Sequence, residues 1–152
     1  MQGWLYLAVI LDLFSRKVVG WAMSNRINAQ LVLAALRMAY WRRKPPAGLL
    51  HHSDPGSRYA SKAYQEELKK YNMLCSMSRK GDCWDNAVAE SFFRSLKTER
   101  TDNALYVTRN EVRLDVVDHI EMFYNSHRLH SSLEYSSPNQ YEASNELLAD
   151  VA

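Results

Sequence analysis

The sequence contains very little cysteine, no long apolar run and almost no excess of charge. Its two cysteines, Cys75 and Cys83, match neither a zinc-binding nor a redox spacing, so reduced structural thiols are expected. No stretch reaches the roughly 18 apolar residues of a membrane span. The apolar run at 4–14 is short, carries Asp12 and follows no charged leader. These absences predict a cytoplasmic protein that does not associate with membranes.

What is present is ordinary for one globular domain. The 152 residues are 47% hydrophobic and 24% charged, which suits a single domain with a real core. The net charge of +2 does not by itself indicate a nucleic-acid binder. Basic residues do cluster locally, at Arg37, Arg42, Arg43 and Lys44 and again at 79–80. Clusters of this kind more often lie at solvated helix ends than bind phosphate.

Apolar periodicity and capping residues predict a mixed α/β order. Strands are expected at 4–11, 17–24, 49–53 and 74–78, and helices at 28–43, 61–71, 86–97, 108–126 and 138–148. The first two strands should form a hairpin, in which Asp12 takes a local role at the corner. In the first helix the 3–4 spacing places Leu31, Ala34, Ala35, Met38 and Trp41 on the buried face.

Two carboxylates, Asp54 and Glu90, are the strongest functional candidates. Asp54 closes the apolar run 49–53 and precedes a Pro–Gly turn, at the end of a strand where α/β sheets place their ligands. Glu90 lies on a predicted helix, with Arg94 one turn and Lys97 two turns further along the same face. Carboxylates beside a basic stripe suggest metal ions acting on phosphate.

Four ordered motifs carry a family resemblance over nearly the whole chain. The segment HHSDPGSRY at 51–59, Glu90 after 35 intervening residues, and Lys97 resemble the integrase core of DDE transposases. The resemblance is closest to the second-frame (OrfB) transposases of the third insertion-sequence family, relatives of retroviral integrases. Residues 4–16 are similar to that family's second strand and hairpin. Residues 124–133, with Pro138 beyond them, are similar to its closing signature.

The resemblance implies a ribonuclease-H-like mixed sheet flanked by helices. It implies a catalytic core at 1–135, a tail with a short helix at 136–152, and a first strand with the family's first catalytic aspartate upstream of Met1. The chain as given is therefore expected to be inactive.

The resemblance also implies an activity and its partners. The activity is the cleavage and strand transfer of DNA in transposition, and it depends on Mg²⁺ or Mn²⁺. The protein would act as a homo-oligomer at the nucleoid. An upstream DNA-binding region of the transposase would be its partner. Asp54 and Glu90 would be catalytic metal ligands. Lys97, Arg58 and Asn86 would face DNA. For Arg94 an ion pair with Glu90 competes with a phosphate contact.

Other interpretations remain open. The chain could be a non-catalytic remnant that still binds DNA or transposase subunits, or a nuclease of the same fold that only hydrolyses. His51, His52, Cys75 and Cys83 could form a zinc site. The histidines at 127 and 130, with Arg128, are expected to be structural or phosphate-facing.

Overall fold

A computed structural model describes residues 5–53, 61–77, 87–102 and 104–151. The strands are β1 Tyr6–Leu11, β2 Val18–Ser24, β3 Leu50–Ser53 and β4 Leu74–Met77. The α-helices are α1 Ala29–Arg43, α2 Lys62–Lys70, α3 Ala87–Leu96, α4 Arg109–Asp118 and α5 Pro138–Val151. Segments with π-helical geometry follow α3 at Lys97–Thr101 and α4 at His119–Tyr124, and a 3₁₀ turn covers Ser131–Leu133. Within these ranges, no helix is long and apolar enough to cross a bilayer.

Side-chain caps start three helices where the sequence predicts them. The Asn28, Ser61 and Thr108 side chains each accept a hydrogen bond from the backbone N–H three residues later, at 3.1–3.2 Å. Such caps satisfy amide groups that the first turn of a helix leaves unpaired. The predicted starts of α1, α2 and α4 are therefore confirmed.

The chain divides into two compact units. One contains Leu11–Val18 and Arg94–Ala152 with Met1–Gln2, and the other contains Gly3–Ile10 and Val19–Phe93. The boundary thus falls inside α3. The predicted domain boundary after residue 135 stays a prediction.

The unit built on Val19–Phe93 packs α1 and α2 together over β1. Its core contains, from these elements, Ala8, Leu31, Val32, Leu33, Ala35, Leu36, Tyr64, Leu68 and Tyr71. The strands β3 and β4 pair in parallel, with Leu50 opposite Leu74 and Ser53 opposite Met77. Gly20 lets β2 approach α1, because a Cβ there would lie 2.3 Å from the Ala35 carbonyl oxygen.

The buried face of α1 differs from the predicted one. Trp41 is 63% exposed and Ala34 is exposed, whereas Val32, Leu33 and Leu36 are buried. The 3–4 spacing predicts that one narrow stripe of apolar residues along α1 is buried. Because α1 contacts strand and helix neighbours at once, it buries a broader arc than that stripe.

The other unit joins the hairpin corner to the C-terminal half of the chain. The Asn125 side chain accepts from Val18 N–H at 2.9 Å and donates to Val18 C=O at 3.0 Å. Ser15 donates to the Glu142 carboxylate, and the rings of Phe14 and Tyr141 lie 5.0 Å apart. At the corner itself, Asp12 Oδ1 accepts from the backbone N–H of Phe14 and Ser15, which confirms its local role.

The single helix predicted at 108–126 is instead α4 followed by a π-helical segment. The Asn125 N–H bonds the Ile120 carbonyl, five residues back, at 3.1 Å. This wider turn ends at the residue whose side chain binds Val18. Single π turns inside helices are common at functional sites.

Candidate active site

The strand β3 leads directly to Asp54. Its last residue, Ser53, is buried, and its parallel partner β4 ends beside it at Met77. Asp54 itself lies outside the described residues, as do Arg58 and Asn86. The order of the chain nevertheless places Asp54 immediately after the carboxyl end of β3, the edge at which open α/β sheets bind their ligands.

His51 anchors this strand to α2. Its Nε2 lies 2.8 Å from the hydroxyl of Tyr64, a side chain that is fully buried. Burial, with the neighbouring His52 as a lesser cause, lowers the pKa of His51 to about 4. His51 is therefore neutral at pH 7 and acts as a structural hydrogen-bonding group in the strand that precedes Asp54 in the sequence.

The helix α3 presents its three candidate residues to solvent. Glu90 lies in its first turn, Arg94 in its last turn, and Lys97 follows at the first π-helical position. All three side chains are exposed, while Phe92, Ser95 and Leu96 are buried. The charged positions thus lie on the exposed face, as expected for an amphipathic helix, while Ser95 is a polar residue on the buried face. A carboxylate in the first turn also interacts favourably with the helix dipole.

Neither cation on this face pairs with Glu90. In the part of the chain that the structure describes, no ion pair joins Glu90 to Arg94 or to Lys97. The ion pair considered for Arg94 is therefore absent there. The reason is physical: an exposed pair at this spacing gains only about 0.3–0.5 kcal/mol, which is comparable to the cost of ordering two side chains.

Beyond Lys97, the chain is fixed by Glu99. Its carboxylate accepts from Ser95 Oγ at 2.7 Å and from Arg128 Nε at 3.1 and 3.3 Å. The guanidinium of Arg128 also lies 6.0 Å from the centre of the Tyr124 ring. Arg128 is thus structural, one of the two roles expected for it. Sequence reasoning missed Glu99, although its position four residues after Ser95 is a usable signal.

A second set of contacts holds the same π-helical segment to α4. Arg100 binds Asp115 at 2.7 Å and Asp118 at 3.0 Å. The hydroxyl of Tyr106 donates to Asp115, and burial together with this carboxylate raises the pKa of Tyr106 to about 12. The segment after Lys97 is therefore held on two sides.

The described residues do not assemble a metal site by themselves. Within 5–53, 61–77, 87–102 and 104–151, no group of three or more His, Cys, Asp or Glu side chains could hold an ion. His51, His52 and Cys75 thus make no zinc cluster among themselves, and Cys83 lies outside these ranges. Glu90 does fit a divalent cation, because it offers exposed carboxylate oxygens that no described residue occupies.

Comparisons with known proteins agree on one family. Two family models, both described as "Integrase core domain", match residues 1–83 and 71–138. The chain is 49% identical over 144 residues to "Transposase InsF for insertion sequence IS3A" of Escherichia coli strain K12, which covers 95% of this chain and 50% of that protein. It is 44% identical to the transposase for insertion sequence element IS904 of Lactococcus lactis, covering 95% and 57%. The chain therefore spans about half the length of these relatives.

Solved structures show the fold. The catalytic core domain of BIV integrase is 17% identical with a TM-score of 0.67, covering 97% of this chain and 93% of that one. The HTLV-2 integrase catalytic core domain, solved in complex with magnesium in a trimeric form, is 15% identical with a TM-score of 0.59, covering 92% and 93%. The ribonuclease-H-like α/β fold is thereby confirmed. Since one of these family models matches residues 1–83 of 152, the chain belongs to the integrase core domain family.

Proposed function

We propose that this chain is the catalytic core of an insertion-sequence transposase. It would cleave DNA at the ends of the element and join the freed 3′-hydroxyl to another phosphodiester. The observation that carries the proposal is the exposed face of α3, where Glu90, Arg94 and Lys97 lie on successive turns without mutual ion pairs. The likeness to two transposases over 95% of the chain supports it.

Asp54 and Glu90 would hold Mg²⁺ or Mn²⁺. Carboxylate oxygens are the ligands that these hard cations prefer, and a magnesium-bound integrase core shares the fold. When bound, a two-ion site activates the attacking oxygen and stabilises the leaving oxygen. Because two carboxylates make a weak cage for two ions, full activity should require a third, which the family resemblance expects on a strand upstream.

The basic residues of the site would position DNA. Arg94 and Lys97 follow Glu90 at helical spacing, are exposed, and would contact DNA phosphates. Arg58 and Asn86 would line the same crevice. Phosphate contacts of this kind fix the register of the duplex but carry little sequence information.

The remaining partners belong to the same proposal. The protein would act in the cytoplasm at the nucleoid, as a homo-oligomer, and with an upstream DNA-binding region of the transposase. A dimeric and a trimeric form of the HTLV-2 integrase core, which shares the fold, support the oligomer.

A strand-transfer assay with Mn²⁺ tests the proposal. It compares the 152-residue chain with a form extended upstream to include the expected aspartate strand. The extended form should join DNA, and Glu90→Gln should abolish joining. Glu66→Gln is the matched control, because Glu66 is an exposed carboxylate on α2 whose ion pair among the described residues is with Lys62, at 3.8 Å.

The products separate the alternatives. Joined DNA supports a transposase, cleavage without joining supports the hydrolytic nuclease, and DNA binding without either supports the remnant. Joining that survives Glu90→Gln would overturn the assignment of the site.

A further inference from the structure

The helices α1 and α2 end side by side, and both ends are strongly basic. The ring of Tyr40 stacks on that of Tyr71 with their centres 3.7 Å apart and their planes 7° from parallel. This stack brings two short basic sequences together. We call the result the basic end surface, and its residues are Trp41, Arg42, Arg43, Lys44, Lys69 and Lys70.

The basic end surface lies at the end of the β3–β4 pair where both strands begin. The loops that follow α1 and α2 are joined by a bond from Gly48 N–H to the Asn72 carbonyl at 2.8 Å. Both parallel strands begin just beyond these loops, and Asp54 follows the far end of β3. Four residues of strand, at roughly 3.3 Å each, separate the two ends. This surface is therefore not part of the candidate active site.

The three lysines of this surface, Lys44, Lys69 and Lys70, are exposed. Lys44 Nζ lies 6.0 Å from the Trp41 ring centre, and Lys70 Nζ lies 6.0 Å from that of Tyr71. The side chain of Lys70 is 73% exposed. The neighbouring carboxylate of Glu67 is nearly buried, and it binds Arg37 at 2.9 Å as well as Lys70 at 3.8 Å.

Helix stability alone does not require this much positive charge. One cation in the last turn gains about 0.3–1 kcal/mol from the helix dipole. Lys44, Lys69 and Lys70 lie on two adjoining helix ends and repel one another, and a bound polyanion would relieve that repulsion. The exposed indole of Trp41 further supplies a flat surface among the cations.

We propose that the basic end surface binds the phosphate backbone of duplex DNA, as a second DNA contact separate from the candidate active site. The choice of DNA as the polyanion rests on the proposed function. A reaction that joins two DNA segments requires the protein to hold more duplex than the few phosphates around the scissile bond. Lys44, Lys69 and Lys70 provide the exposed charges for this second contact.

The test measures binding of a fluorescein-labelled duplex of arbitrary sequence to the purified 152-residue chain at several salt concentrations. The double variant Lys44→Gln/Lys70→Gln should bind more weakly. Its slope of log K against log salt should fall by about 1.8, because each lost phosphate contact removes about 0.9. The variant Lys44→Arg/Lys70→Arg keeps both charges and should retain the slope. Thermal unfolding of each variant verifies that it is folded.

Lys97→Ala, measured in parallel, separates this inference from the proposed function. Two independent contacts should give losses that add in free energy when the substitutions are combined. A normal slope in the glutamine variant overturns the inference, and a loss with Lys97→Ala in the same experiment leaves the proposed function standing. An equal loss in the arginine variant also overturns the inference, because the lysines would then act by shape rather than by charge.

Discussion

Arg128 Nε lies 3.1 and 3.3 Å from the two carboxylate oxygens of Glu99. Arg128 belongs to the closing signature of the sequence, and Glu99 belongs to the π-helical segment directly after Lys97. A motif near the end of the chain thus holds the C-terminal end of the helix that presents Glu90. Arg128 of the signature thus fixes the π-helical segment that follows Lys97.

A double-mutant cycle should detect this contact. The two side chains are 27% and 34% exposed, so we expect Arg128→Ala and Glu99→Ala to couple by about 1 kcal/mol in the free energy of unfolding. Urea denaturation measures it. The exposed pair Lys62–Glu66, at 3.8 Å, is the control and should couple by no more than about 0.5 kcal/mol. Equal coupling energies in the two pairs would contradict the structural role of the Arg128–Glu99 contact.

His130 should make the fold sensitive to acid. Burial, together with the smaller effects of Arg128 and Arg16 and against the opposing effect of Glu99, lowers its pKa to about 4. The unfolded chain, with a pKa of about 6.5 at this position, therefore takes up the proton first as the pH falls. The contribution of neutral His130 to the free energy of unfolding is complete above pH 6.5. It decreases as the pH falls towards 4, by up to about 3 kcal/mol.

Unfolding measured between pH 7.5 and pH 4 checks this expectation. His130→Gln should flatten the decline, whereas His127→Gln, at an exposed position, should leave it unchanged. An unchanged decline in His130→Gln would show that other groups cause it.

Two glycine substitutions should lower the free energy of unfolding for different reasons, one by a steric clash and the other by backbone strain. Gly20→Ala places a Cβ 2.3 Å from the Ala35 carbonyl oxygen and 2.8 Å from Ala39, so the hairpin must move away from α1. We expect a loss of about 1–3 kcal/mol or more. Gly48 has a φ of +93° with open space around it, so Gly48→Ala should cost only its backbone strain of about 1 kcal/mol. Thermal unfolding compares the two, and an equal loss would argue against close packing at Gly20.

The proposed metal ligands should lie near each other in the folded chain. With Fe²⁺ in place of Mg²⁺, and with ascorbate and peroxide, radicals formed at the site should cut the backbone near both Asp54 and Glu90. Oxygen ligands of such ions lie within about 2.0–2.6 Å. Mass spectrometry locates the cuts, and Glu90→Gln should remove both. Cuts near only one of the two residues would contradict a shared site.

Much of the fold follows from local chemistry in the sequence. Asn28, Ser61 and Thr108 mark helix starts because a cap acts within three residues, and no distant contact is needed. Trp41 shows where that reasoning fails. Its burial depends on which neighbours pack against α1, and periodicity within one helix carries no information about them.

The π-helical segments were also beyond prediction. A shift from the fourth to the fifth residue in hydrogen bonding leaves no composition signal, so the helix predicted at 86–97 ends where the π-helical segment Lys97–Thr101 begins. At the site, helical periodicity in the sequence predicts that Glu90 lies on a helix and that Lys97 lies two turns further along the same face. The roles of Asp54, Arg58 and Asn86 stay predictions, since all three lie outside the described residues.

The contact between Asn125 and Val18 has a consequence for association between chains. A β-strand recruits another strand through unpaired backbone groups at its edge. At Val18 the N–H and the C=O are both already bound by one side-chain amide, in the pattern that an incoming strand would use. A strand from another copy would therefore begin its pairing elsewhere, because Asn125 already occupies the N–H of the first residue of β2 and bonds its C=O.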